Sequence, residues 1–485
     1  MAALVLDRKV FHDKVTACWL GKSIGGTLGM PYEGRTYVQA LTFYDPVPAE
    51  PLPNDDLDFQ LVWLKMLEDV GCWPRLPQFA EYWRKYLLAY PWNEYGFCKR
   101  NLELGLMPPI CGWFNNYFVD EMGSPIRSEI WACVAPGNPQ FAASLAWMDS
   151  CMDHAGGEGM WGQMFWSAAQ SAAFVVSDAQ TLIEIGLHMI PPACAIARSV
   201  REALWCYRHS VDWSRARQRI HEIYGHVHAQ HAPPNHGFTV LGWLYGHDFG
   251  DQLCKAVNAG YDTDCTGATI GALLGILHGT AYIPPRWIEP VGRRIKLHKF
   301  TGDCDAPADI DEAADRTVAV TQRLGASLPV AVELGERGRR SDGFEPSLWR
   351  NELAQQCVQR DLRAAYAMAG DVQIILHYGG EPVLRPGQKR RMTVTCERDG
   401  KAATPANVLL SAGDGYTVSR CSRGEVGSFE VTAGTRAAGT QMIVQLEVDG
   451  RRCEAAFTML GAEHADGFPS AAASTWSGEG IPNVF

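Results

Sequence analysis

Pro53-Asn-Asp-Asp-Leu-Asp-Phe-Gln-Leu-Val-Trp-Leu64 places Asp55, Asp56 and Asp58 directly in front of an apolar run with helical spacing. Asn54 is a good N-cap, and one or two acids in a first turn sit well against the helix dipole. A third makes a self-repelling cluster that a divalent cation would relieve, because hard ions choose carboxylate and carbonyl oxygens. Tyr261-Asp-Thr-Asp-Cys-Thr-Gly-Ala-Thr-Ile-Gly-Ala-Leu-Leu-Gly-Ile-Leu-His-Gly279 repeats the pattern, with Asp262 and Asp264 before a helix striped by Gly267, Gly271, Gly275 and Gly279. Each helical glycine costs about 1 kcal/mol relative to alanine, so such a stripe implies a second backbone lying close. Trp19-Leu-Gly-Lys-Ser-Ile-Gly-Gly-Thr-Leu-Gly-Met-Pro-Tyr-Glu33 offers that partner, with glycines at 21, 25 and 29. Antiparallel packing of the two stripes would bring Glu33 beside Asp262 and Asp264. Capping and tight packing explain each segment alone; a shared cation site explains all three, and two ions bridged by such carboxylates would stand roughly 3.5–4 Å apart.

The elements that must position these residues fall into two regimes. Up to residue 325 the chain is rich in Ala, Leu, Trp and Met at a period near that of a helix, as in FAASLAWMDSCM and MWGQMFWSAAQSAAFVV, and reads as an all-α domain. Residues 370–462 change to short alternating runs such as VQIILHY, RMTVTCE and QMIVQLEV, with Asp399-Gly400 and Asp449-Gly450 as hairpin turns, and read as a small all-β, immunoglobulin-like sandwich. Residues 326–369 form a partly helical connector, with SLWRNELAQQCVQRDLRAAYAM helix-like, and residues 463–485 a loosely held tail. At 485 residues with 47% hydrophobic and 20% charged side chains, two domains are expected. The formal net charge of −11 opposes binding to nucleic acid or anionic membrane. No apolar run reaches the roughly 18 residues of a span, and the opening MAALVLDRKVFHDKVTACWLGK has no signal-peptide pattern. Fifteen cysteines without a Cys-x-x-Cys pair suit buried thiols in a reducing compartment, so a cytoplasmic protein is expected.

GGTLGMPYEG, NDDLD before a helix, and YDTDCTGATIGALLG, in that order over residues 10–290, resemble the motifs of the ADP-ribosylglycohydrolase family. The resemblance implies an all-helical hydrolase with two magnesium ions; manganese is the alternative ion. Asp55 and Asp56 match its first metal-binding segment, Asp262 and Asp264 its second, and Glu33 the glutamate near the metal pair. Gly123, Ser124 and Arg127 match a loop that helps hold the substrate, and His154 a histidine after a helix. The chain departs from the family pattern at Asn54 and Leu57 in place of threonines, at Thr27 in place of an aspartate, at Met122 in place of an asparagine, and at Cys265 in place of a Thr or Ser ligand. Magnesium accepts an asparagine carbonyl readily but a thiol poorly, so Asn54 stays in the expected ligand set and Thr263 or Thr266 would supply the oxygen that Cys265 lacks.

The chemistry implied is hydrolysis of a glycosidic bond at an anomeric carbon, with Glu33 positioning or deprotonating water and Asp58 as the reserve base. Removal of ADP-ribose from a protein side chain or small molecule is the first expectation, with Arg127 and the Gly123-Ser124 backbone meeting the diphosphate. A glycoside or nucleoside without ADP-ribose is the alternative. A non-catalytic, crystallin-like protein is a second alternative, against which the retention of five acids argues. A homodimer is compatible with the sequence. The histidines at 221, 226, 228, 231 and 236 fit no zinc spacing closely, WRKYLLAYPWNEYGF has the spacing of core aromatics, and DCDAPADIDEAAD lacks the glycine and final glutamate of a calcium loop, so a surface helix start is expected there.

Overall fold

The computed structural model describes residues 3–398, 400–421 and 427–465. Three helices set the site. α1 (Arg8–Gly29) is capped by the Asp7 carboxylate, which accepts the N–H groups of Lys9 and Val10. α2 (Asp55–Val70) starts at Asn54, whose side chain accepts the Asp56 N–H at 2.8 Å, and stops at Gly71 with φ 67°, a left-handed conformation that glycine adopts without strain. α3 (Thr263–His278) is buried from Thr263 to Leu277 and runs antiparallel to α1. The glycine stripes make that approach feasible: a Cβ on Gly25 would lie 2.0 Å from the Gly267 carbonyl oxygen, one on Gly29 2.1 Å from that of Thr263, and one on Gly275 2.2 Å from that of Ala17. Helices Glu158–Ala173, Ala232–Tyr245 and Phe249–Asn258 pack around α3. Among the described residues no helix is long and apolar enough to cross a membrane.

The helical domain is not purely α. β1 (Ala3–Asp7) pairs in parallel with β2 (Ala331–Gly335) and antiparallel with β3 (Arg339–Arg340), so the chain returns after the last long helix, Ile310–Leu324, to the strand that precedes α1. The acidic run before that helix is the surface helix start expected, Asp309 accepting the Glu312 N–H. The connector differs from expectation. Its helix-like stretch resolves into a short helix Glu352–Val358 and then β4 (Ala364–Ala369), so the β-domain begins before residue 370. Alanine marks neither period strongly, and the edge of β5 (Val372–His377) decides the conformation by pairing with β4.

β6 (Lys389–Arg398), β7 (Lys401–Ala403), β8 (Ala406–Ser411), β9 (Tyr416–Arg420), β10 (Ser428–Ala433), β11 (Thr440–Val448) and β12 (Arg451–Met459) complete two antiparallel sheets, ordered β4-β5-β6-β10-β9 with β7 on β6, and β12-β11-β8. β8 and β12 alternate exposed and buried residues, the pattern of sheets covered on one face. The Tyr378 hydroxyl donates to the Thr458 carbonyl across the two sheets at 2.7 Å. Asp449 and Gly450 have φ 49° and 75° and make the tight turn expected between β11 and β12; Asp399 of the other expected turn lies outside the described residues, as does the tail from residue 466. The Trp113 indole donates to the Leu362 carbonyl at 2.7 Å and the Thr458 hydroxyl to that of Gly105 at 3.0 Å, and buried side chains of both domains form one continuous core.

Candidate functional site

The close approach of α1 to α3 puts the end of one helix against the start of the other, and with it Glu33 against Asp262 and Asp264. One oxygen from each of these three lies within 4.8 Å of the others, and Asp56, Asp264 and Cys265 form a second such group, so that Asp264 joins the two. Asn54 reaches the same place: its amide nitrogen lies 3.5 Å from Asp264 Oδ2, in space left by Gly26, where a Cβ would meet that nitrogen at 2.6 Å. Asp55 accepts the Tyr95 hydroxyl at 3.0 Å.

The electrostatics are those of an anion cluster short of positive charge. Burial, then the Glu33 carboxylate, pushes the carboxyls of Asp262 and Asp264 well above the usual carboxylate range. Burial and the neighbouring Asp56 push Asp55 up to about 6. Burial raises Glu33 as well, against the hydrogen bond that Gln230 Nε2 donates to its Oε1 at 2.8 Å. Both oxygens of Asp262 and Oδ1 of Asp264 are buried without a hydrogen-bond partner. Orphaned carboxylate oxygens, converging and all of hard-donor type, fit a divalent cation of the magnesium class.

Several residues singled out in the sequence turn inward instead. Arg127 is wholly buried: its guanidinium donates to both oxygens of Asp153 at 2.8 Å, to Asp149 Oδ1 at 3.0 Å and to the Gly123 carbonyl at 2.6 Å. It has no face left for a diphosphate, and that expectation is corrected. Ser124 is buried against Ser150 and Gln163, and His154, also buried, lies 2.9 Å from Asp153 and 3.7 Å from Glu94. Gly123 is required by packing, since a Cβ there would overlap the Glu94 carboxylate. Of these four, Gly123 and Arg127 connect to the acidic cluster: the Tyr95 hydroxyl that meets Asp55 also lies 3.5 Å from the Gly123 carbonyl that Arg127 grips. Asp58 is buried too, its Oδ2 accepting from the His298 amide and the Thr301 hydroxyl, both at 2.6 Å, and from Tyr90 at 3.1 Å. Burial pushes it up to about 7 against those three bonds, and it ties the 298–301 segment to α2 rather than facing water. The hydroxyl of Thr263 is committed to the Gly29 carbonyl at 2.8 Å and that of Thr266 to the Thr263 carbonyl at 3.2 Å. It is Cys265 that faces the acids, its thiol 3.5 Å from Asp56 Oδ2.

A family model described as ADP-ribosylglycohydrolase matches residues 7–326. The chain belongs to the ADP-ribosylglycohydrolase family. The match runs from the N-cap of α1 to the end of the helical domain and makes the protein a hydrolase of the glycohydrolase type. An uncharacterized protein of Archaeoglobus fulgidus is 25% identical over 301 residues, 60% of this chain and 95% of the relative. A solved structure described as an ADP-ribosylglycohydrolase-related protein complex is similar at 20% identity with a TM-score of 0.43, over 65% of this chain and 99% of the other.

For an ADP-ribosylglycohydrolase, the most consequential residue the sequence left unread is Lys22. It is buried between Asp56 and Glu129, 3.1 Å from each. Burial works to lower its pKa, but Glu129 and Asp56 outweigh it and raise the group above the ordinary lysine value. Gln60 and Gln170 hold Glu129 from the other side, at 2.9 and 3.1 Å. The signal was in the sequence: Lys22 is the one charged residue between Val15 and Gly29, in the buried, glycine-striped half of α1, and an ammonium there has to find buried anions. Tyr90 and Tyr95 were legible as core aromatics, but their hydroxyl contacts with Asp58 and Asp55 were not.

Proposed function

We propose that this protein is a magnesium-dependent glycohydrolase that cleaves a glycosidic bond at an anomeric carbon, removing ADP-ribose from a protein side chain or a small molecule. The observation that carries the proposal is the set of buried, unpartnered oxygens of Asp262 and Asp264 beside Glu33. Asp55, Asp56, Asp262 and Asp264 are the residues that would hold magnesium, manganese being the natural substitute; Asn54, whose side-chain oxygen caps α2 and whose amide nitrogen faces Asp264, braces them instead. When bound, the ions supply Lewis-acid stabilisation of charge on sugar oxygens. The chain's own residues do the rest. Glu33 takes the proton of the attacking water; Gln230 occupies its Oε1, leaves Oε2 for the water, and fixes the carboxylate plane. Its raised pKa makes it a better base than an ordinary carboxylate. Tyr95 orients Asp55, and the Arg127 network holds Tyr95 through the Gly123 carbonyl.

Lys22 already supplies one positive charge at Asp56, which favours fewer cations on that side of the cluster than on the Asp262 side. All fifteen cysteines are free, in keeping with a cytoplasmic enzyme.

A second reading, a glycoside without a diphosphate, is favoured by the sealed position of Arg127. The test is release of ADP-ribose from an ADP-ribosylated arginine substrate. Release that requires magnesium, stops with chelator and falls by about a hundredfold or more in Asp55→Asn/Asp56→Asn supports the first reading. Magnesium binding without release transfers support to the second.

A further inference from the structure

Beside the acidic cluster lies a second constellation of a different chemical kind. Glu121 is 2% exposed, and its Oε2 has no hydrogen-bond partner. The nearby charges that act on it, Asp262 and Asp120, are of the same sign. A carboxylate so placed requires a cation, a proton or a rearranged loop. Two imidazoles face it: one nitrogen each of His226 and His231 and one oxygen of Glu121 lie within 4.8 Å of one another. The rings of His226 and His231 stand 4.3 Å apart at 30°. His228 stands at the edge of the group, its Nδ1 3.6 Å from Glu121 Oε1.

We propose that Glu121, His226 and His231 form a binding site for a transition-metal ion of the zinc class, separate from the acidic cluster. One carboxylate oxygen suits either class of ion, but the two imidazole nitrogens beside it are donors that zinc, cobalt and nickel prefer and magnesium does not. Three protein ligands leave a tetrahedral ion one position for water.

The backbone is built to hold this arrangement. Glu121 and His231 are paired as an antiparallel bridge, and the Ala232 amide donates to the Asp120 carbonyl at 2.8 Å. His231 precedes the helix Ala232–Tyr245. Asn235 from that helix reaches back to the carbonyls of Ala229 and His231, at 2.7 and 2.9 Å, closing the loop between the two histidines. The His228 amide donates to His226 Nδ1 at 3.1 Å, a bond that coordination through that nitrogen replaces.

The ion would order the loop that carries Gln230, and Gln230 is the residue that fixes Glu33. The spacing of the histidines hid the site, because the third ligand comes from a distant segment of the chain.

The test uses the full-length protein, stripped with chelator and titrated with Co2+, read by its ligand-field absorption, and with Zn2+ by calorimetry. One equivalent of Co2+ with a tetrahedral spectrum, retained under saturating Mg2+ and in Asp262→Asn/Asp264→Asn, is the expected result. Glu121→Gln and His231→Ala should weaken binding by about a hundredfold or more, with circular dichroism checking that each variant is folded. Displacement of Co2+ by saturating Mg2+ overturns the proposal without recourse to any variant. So does loss of binding in Asp262→Asn/Asp264→Asn, or full affinity in folded Glu121→Gln.

Discussion

At the scale of single residues, the site is an exercise in placing like charges where water cannot screen them. Asp56, Asp262 and Asp264 are each at most 5% exposed, and the ammonium paired with Asp56 is that of Lys22. Removing one partner of a buried ion pair leaves an uncompensated charge, which costs about 3–5 kcal/mol. Lys22→Met should therefore lower the stability of the metal-free protein by that amount in urea melts, and Lys22→Met/Glu129→Gln should recover part of it because one of the two stranded anions is gone. Equal stability of Lys22→Met and wild type would show that Asp56 and Glu129 are already protonated. The acids of this cluster were legible in the sequence because three runs carried them to helix ends. Arg127 was legible as a charged loop residue but not as a buried one: whether an arginine meets substrate or structure is decided by Asp149 and Asp153, which the sequence places on a later segment with nothing to mark them as its partners.

At the scale of elements, the α1–α3 pair makes the site. Sequence alone supplied the two glycine stripes, their common period and the antiparallel register that meets at Glu33, because a stripe of small residues has a single physical use when the cost of each glycine is counted. What it could not supply was β1, whose five residues precede α1 and pair with strands more than three hundred positions later, or β4, whose alanines take their conformation from a neighbour. The stripe gives a sharp prediction. Gly25→Ala improves the intrinsic helix propensity of α1 by about 1 kcal/mol, yet its Cβ would lie 2.0 Å from the Gly267 carbonyl oxygen. The helices must part, and overpacking of this kind costs about 1–3 kcal/mol. Thermal denaturation should show a net loss of stability, and magnesium affinity should fall with it because Glu33 moves away from Asp262. A variant as stable as wild type with undiminished magnesium affinity would mean that the stripe does not set the site.

At the scale of the whole molecule, the helical domain carries the family's chemistry and the β-domain is joined to it by a common core, by Trp113 against Leu362 and by Thr458 against Gly105. The two-domain division, the change from helical to alternating texture and the hydrolase family were legible from the sequence; the continuity of the core across the division was not, since hydrophobic periodicity says which face of an element is buried and not against what. The claim on which the functional account rests is that the carboxylates at the meeting of α1, α2 and α3 hold divalent cations. Calorimetric titration of the chelator-treated protein with Mg2+, beside Asp262→Asn/Asp264→Asn, tests it most directly. Saturable binding in the wild type and its loss in the double variant are expected, with a melting temperature that rises with magnesium only in the wild type; wild-type protein that binds no magnesium, or a double variant that binds it equally well, would overturn the metal site.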